Sequence, residues 1–124
     1  MATLEDAEGA AALLSDPDAR VRAAATVASS DPATLAALLS DESMLVRFNA
    51  AERLLSHDSP RAALQAVQAR WDALDTERAV IRWLHLDVLA RLGDRDTVAR
   101  AAQADPDPWA QHRAQQLLLS LIHI

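Results

Sequence analysis

One ten-residue phrase occurs twice in this chain. Leu13-Leu14-Ser15-Asp16-Pro17-Asp18-Ala19-Arg20-Val21-Arg22 is answered by Leu38-Leu39-Ser40-Asp41-Glu42-Ser43-Met44-Leu45-Val46-Arg47. Each copy runs from the apolar end of one helix, through a tight acidic turn, into the next helix. A self-similar helix-turn-helix unit cannot bury its apolar face alone, so neighbouring units must stack. The phrase therefore predicts an all-α helical solenoid. It says nothing about what such a surface binds.

Composition agrees with helices. Apolar residues make up 51% of the 124, yet only Phe48, Trp71, Trp83 and Trp109 are aromatic. Much of the apolar share is alanine, the best helix former and one that lets helices approach closely. Two glycines and few β-branched or aromatic residues argue against strands.

Caps and prolines then mark the elements. A face of Leu4, Ala7, Ala11 and Leu14 predicts a helix over 4–14. Asp18 caps the next, to about Ser29. Asp31-Pro32 and Ser59-Pro60 pair a cap with proline at the first helical position. Helices are expected over 32–40 and 43–56. Leu64, Val67, Trp71 and Leu74 follow at helical spacing. Asp75-Thr76 is expected to open the most hydrophobic helix, with Ile81, Leu84, Val88 and Leu92 as its buried stripe and Gly93 as its C-cap. Asp94 to Ala104 and a helix after Asp105-Pro106-Asp107-Pro108 complete eight helices in four hairpins.

The phrases LLSDPDARVRAAA, LLSDESMLVRFNAA and IRWLHLDVLARLGD place Val21, Val46 and Ile81 in register, with Ala110 as a degenerate fourth. This pattern resembles the HEAT-repeat family, in its short bacterial HEAT-like form. The resemblance covers nearly the whole chain. It implies a right-handed α-α superhelix of about four antiparallel hairpins, with the second helix of each hairpin lining the concave side. Residues 1–118 are expected to form a single HEAT-like repeat domain. Leu119 to Ile124 differ from the body and equal the in-frame translation of a transposon-end sequencing adapter. We expect 119–124 to be a non-native tail on a chain that natively continues.

Charge and motif content narrow the function. The net charge of −6 disfavours a nucleic-acid partner. No stretch is long and apolar enough to span a membrane, no basic leader begins the chain, and no cysteine offers disulfide or thiolate chemistry. A cytoplasmic, monomeric protein is expected. All twelve cationic side chains are arginine, which fits a GC-rich bacterial genome. His57, His85, His112 and His123 lack metal-ligand spacing. His85 falls at a small, packed position and is expected to be buried and hydrogen-bonded. Trp71 and Trp109 occupy apolar positions and are expected in the core. No nucleophile elbow or glycine-rich phosphate loop occurs. Arg22, Arg47 and Arg82 recur one residue after the aligned aliphatics. They could form an anion-binding row, but repetition in register with an acid favours a ladder to turn acids such as Asp16 or Asp41 and to nearby carbonyls.

These features point to a non-enzymatic protein-interaction module with no cofactor and no metal. The resemblance implies two enzymatic alternatives, a phycobilin-lyase-like protein and a DNA-repair-glycosylase-like one; a third alternative is an N-terminal fragment of a longer repeat protein. Two and six residues beyond the aligned aliphatics lie Phe48, Trp83 and His112, and Glu52 and Asp87. If these offsets face outward, they form an aromatic stripe bordered by acid, suited to a basic, apolar segment of a protein or peptide. If curvature turns them inward, Phe48 and Trp83 are core.

Overall fold

The computed structural model describes residues 12–74 and 78–122, with side chains as far as 120. The described residues are all-helical, with no strand among them. Seven helices follow one another: α1 (Ala19–Ala28), α2 (Pro32–Leu38), α3 (Met44–Leu55), α4 (Pro60–Asp72), α5 (Ala79–Arg91), α6 (Arg95–Ala104) and α7 (Pro108–Ile122). None is long and apolar enough to cross a membrane.

The helix starts are set by the caps. Asp18 accepts the Arg20 N–H at 2.9 Å, Asp31 the Thr34 N–H at 3.2 Å, and Ser59 the Ala62 N–H at 3.2 Å. Each satisfies a donor that a helix start leaves unpaired. Pro32 and Pro60 sit just inside their helices, where a missing N–H costs nothing. Gly93 ends α5 with φ of 93°, a conformation that side chains disfavour.

One helix start differs from expectation. α5 begins at Ala79, with Arg78 at the N-cap position, and not at Asp75-Thr76; residues 75–77 lie outside the described set. The helix expected over 4–14 also lies outside it, except for a short end at 12–13.

Alternate helices pack side by side. α1 lies on α3, α3 on α5 and α5 on α7, while α2 lies on α4. α6 packs against both α5 and α7. The core between the two rows is built from Leu35, Leu39, Leu54, Val67, Leu86, Leu89 and Val98, each fully buried, interleaved with alanines.

The buried stripe of α5 also differs from expectation. Leu84 is half-buried, whereas Leu86 and Leu89 are fully buried. α5 touches helices on several sides, and its buried residues Ile81, Arg82, His85, Leu86, Val88, Leu89 and Ala90 wrap most of its circumference. A single 3.6-residue stripe describes a surface helix and not a central one. Trp109, expected in the core, is 65% exposed in the first turn of α7, and Trp71 is half-buried. Leu119 and Ser120 are exposed on the last turns of α7.

Asp94 joins two helices. Its carboxylate caps α6 through the Thr97 N–H at 3.0 Å and accepts Gln68 Nε2 of α4 at 2.8 Å. Burial pushes this carboxyl up, but the bonds from Thr97 and Gln68 hold it below the ordinary carboxylate value. Asp94→Ala is expected to destabilise the protein by about 1–2 kcal/mol, as for loss of a strong cap. Urea titration checks this, and a cost near zero would show that the cap is dispensable.

Candidate functional site

The acidic turns share one chemistry. Asp16, Asp41 and Asp105 each accept the backbone N–H two residues on, at 2.8, 2.8 and 3.0 Å. Such local bonds are how aspartate fixes a tight turn. The arginine six residues later then reaches back. Arg22 Nη1 donates to the carbonyls of Asp16 and Pro17, and Arg47 Nη1 to those of Asp41 and Glu42. The same chemistry ties one turn to the next. Arg22 forks onto Asp41 with both bonds at 3.1 Å, and Arg82 forks onto Asp105. This is the ladder, and it explains why aspartate and arginine recur in the repeated phrase. Arg82 also stacks its guanidinium 4.6 Å from the Trp71 ring centroid. With Arg22 and Arg82 forked onto acids and Arg47 buried, the three present no open row for an anion.

His85 is fully buried. Its Nδ1–H donates to the Ile81 carbonyl at 2.8 Å, which leaves Nε2 as an unprotonated acceptor with no partner among the described residues. Burial pushes the imidazole below its ordinary pKa of 6.5; the Ile81 bond opposes this, and the Arg70 and Arg82 charges reinforce it. The folded protein therefore binds a proton here less readily than the unfolded chain. The stability from this site is full above about pH 6.5 and declines as pH falls through the folded-state value. Denaturant midpoints between pH 7.5 and 5 are expected to fall in the native protein, and to fall less in His85→Leu. Parallel pH dependences in the two proteins would remove His85 as the cause.

The open surface lies on the row of α3, α5 and α7. A cleft of about 440 Å³ is lined by Phe48, Glu52, Leu55, Leu84, Asp87, Val88, Arg91, Arg113 and Leu117, with Ala51 at its base. A narrower cleft of about 160 Å³ adjoins it, between Met44, Arg47 and Phe48 of α3 and Val80, Trp83, Leu84 and Asp87 of α5. The two share Phe48, Leu84 and Asp87 and form one groove along the helices. Its lip is apolar and solvated: Phe48 is 52% exposed, Met44 59% and Val80 47%. Single exposed apolar residues are ordinary; these three line the same cleft.

Four of the five residues singled out in the sequence meet in this groove. Phe48 and Trp83 both line the narrower cleft, and Glu52 and Asp87 line the wider one. Trp83 is half-buried, and its Nε1 is buried without a partner among the described residues. His112 is exposed and lines neither cleft.

Arg113 and Leu117 escape the sequence pattern. Arg113 Nε donates to Asp87 Oδ1 at 2.9 Å across the gap between α7 and α5, with both side chains about one-third exposed. In α3 and α7, the residue three beyond the aligned aliphatic reaches back to the preceding helix of the row. Asn49 occupies that position and donates to the Ala23 carbonyl of α1; Arg113 is its counterpart. Reading that offset as well as the second and sixth would have found it. Among the described residues, no cluster of His, Asp or Glu could hold a metal ion.

No protein-family model, no curated protein and no solved structure matches this chain.

Proposed function

We propose that this chain is a HEAT-like α-solenoid of helix hairpins and that it acts as a protein-interaction module without catalysis. Three structural features support the architecture: side-by-side packing of α1, α3, α5 and α7, pairing of α2 with α4, and a turn-to-turn arginine ladder. Repeat proteins stack units through such reused neighbour contacts. The observation that carries the function is the groove itself. Exposed Met44, Phe48 and Val80 flank two adjoining clefts on the helix row that the HEAT resemblance assigns to the concave side. Burying exposed aromatic and aliphatic anchors in a partner supplies most of the affinity in a typical interface.

The test uses residues whose removal leaves the fold intact. Met44→Ala and Phe48→Ala remove exposed side chains, so stability is expected to stay within about 0.5 kcal/mol of native. The paired variant is expected to weaken capture of a native partner by about thirtyfold, as for loss of a hot-spot residue. Unchanged capture by a normally folded double variant would overturn the groove as the binding surface. Trp83 is the poorer choice for this test, because its half-buried ring also supports the packing of α5 against α3.

A further inference from the structure

The groove has a charge pattern as well as an apolar lip, and the meaning of that pattern rests on the groove being a binding surface. Four charged side chains line the wider cleft: Glu52, Asp87, Arg91 and Arg113. Two of them satisfy each other, since Arg113 is ion-paired with Asp87. Glu52 and Arg91 have no ionic partner among the described residues. No ion pair joins them to each other. In the register of the repeated phrase, which aligns Val46 with Ile81, Glu52 is level with Asp87. Arg91 lies one helical turn beyond, about 6 Å along a neighbouring helix whose axis is roughly 8–10 Å away. Leu55, Leu84, Val88 and Leu117 form the apolar floor around and between the two.

That arrangement selects an occupant. An apolar segment covering the floor also takes Glu52 and Arg91 out of water. A charge desolvated without a counter-charge is strongly unfavourable, so a purely apolar or single-sign segment is penalised. A segment that brings both counter-charges is not, and discrimination arises from the difference. The Asp87–Arg113 pair makes no such demand, because each member already neutralises the other.

We infer that the groove binds a segment of another protein in which a Lys or Arg and an Asp or Glu bracket apolar residues. The basic residue lies against Glu52 and the acidic one against Arg91. An aliphatic side chain enters the narrower cleft between Phe48 and Trp83.

The experiment selects random displayed dodecapeptides on the full chain. Fluorescein-labelled synthetic copies of the enriched peptides are then measured by anisotropy. Enriched peptides are expected to carry both signs of charge around an apolar core. Glu52→Lys is expected to weaken them at least tenfold, and replacing the peptide's basic residue by Glu should restore binding to that variant. Arg91→Glu is expected to be rescued by the converse change at the acidic residue. Both side chains are exposed, and matching melting curves verify that the variants fold. If the peptides lose affinity for Phe48→Ala but bind Glu52→Lys and Arg91→Glu like the native chain, the charge pattern is refuted while the groove stands. If no peptide is enriched, or the enriched ones ignore Phe48→Ala, both ideas fail. Sedimentation at dimer mass that reverts to monomer in Phe48→Ala would show a second copy of this chain on the groove, and that also overturns the inference.

Discussion

Arg82→Ala is expected to be among the most destabilising single changes in this chain. The Arg82 side chain is 10% exposed and its partner Asp105 2%. Removing the guanidinium leaves a buried carboxylate with its main counter-charge gone, and breaking one side of a buried pair costs about 3–5 kcal/mol. It also strips the cation from the face of Trp71. Asp105→Ala should cost a similar amount, since it orphans Arg82 and removes the acceptor of the Asp107 N–H. The double variant should be more stable than the sum of the single losses implies, because neither charge is then left alone. Urea denaturation of the four proteins measures this directly. Additive losses, or a cost below about 1 kcal/mol for Arg82→Ala, would mean that the two turns are held together by something other than this pair.

Leu89→Ala should produce a loss of the same order. Leu89 is fully buried and belongs to the cluster that joins α5 to its neighbours. Truncating a buried leucine removes its transfer free energy and leaves a cavity, together about 2–5 kcal/mol. Leu84→Ala provides the contrast. Leu84 lies half-buried on the floor of the groove, and its loss should be clearly smaller. Chemical denaturation of both variants decides the matter. If Leu84→Ala proved the costlier, the groove floor would be the true core and the packing described for α5 would be wrong.

The contrast between these two leucines shows what the sequence made legible. Features set by local chemistry could be read. Asp18, Asp31, Ser59 and Asp94 cap the helices they precede, though Ser43 does not; the prolines sit just inside, and the Asp-to-Arg spacing of the repeated phrase becomes the bonds of Arg22 and Arg47 to their own turns. These depend on a few neighbouring residues and a turn geometry. Features set by the number of neighbours could not. The periodicity of α5 predicts one buried stripe; Ile81 and Val88 of it are buried and Leu84 and Leu92 half-buried, and helices on other sides bury Leu86 and Leu89 as well. Trp109 reads as core by its hydrophobicity, yet the first turn of α7 leaves it in solvent.

The groove was legible in part, for the same reason. The offsets that name Phe48, Trp83, Glu52 and Asp87 belong to single helices, and these four do converge. His112 obeys the same offset without joining them. Arg113 enters from α7 and changes the electrostatics, cancelling one of the two acids expected on the rim. A one-helix periodicity does not reveal a partner on the next helix. The pairwise offset between neighbouring helices does, as Asn49 and Arg113 illustrate.

The alanines in the core have a consequence for how such a protein can change over generations. Ala23, Ala36, Ala50, Ala63, Ala90, Ala101, Ala110 and Ala114 are all buried where helices meet. Inserting methylenes into a packed core costs about 1–3 kcal/mol. Met44, Phe48 and Glu52 of α3, which also carries Ala50, and Val80 and Arg91 of α5, which also carries Ala90, are exposed, and their replacement costs little stability. On the proposed reading, framework and recognition occupy different positions of α3 and α5. Selection can rewrite the groove one residue at a time while the scaffold stays fixed, so closely related chains could diverge in what they hold long before they diverge in how they fold.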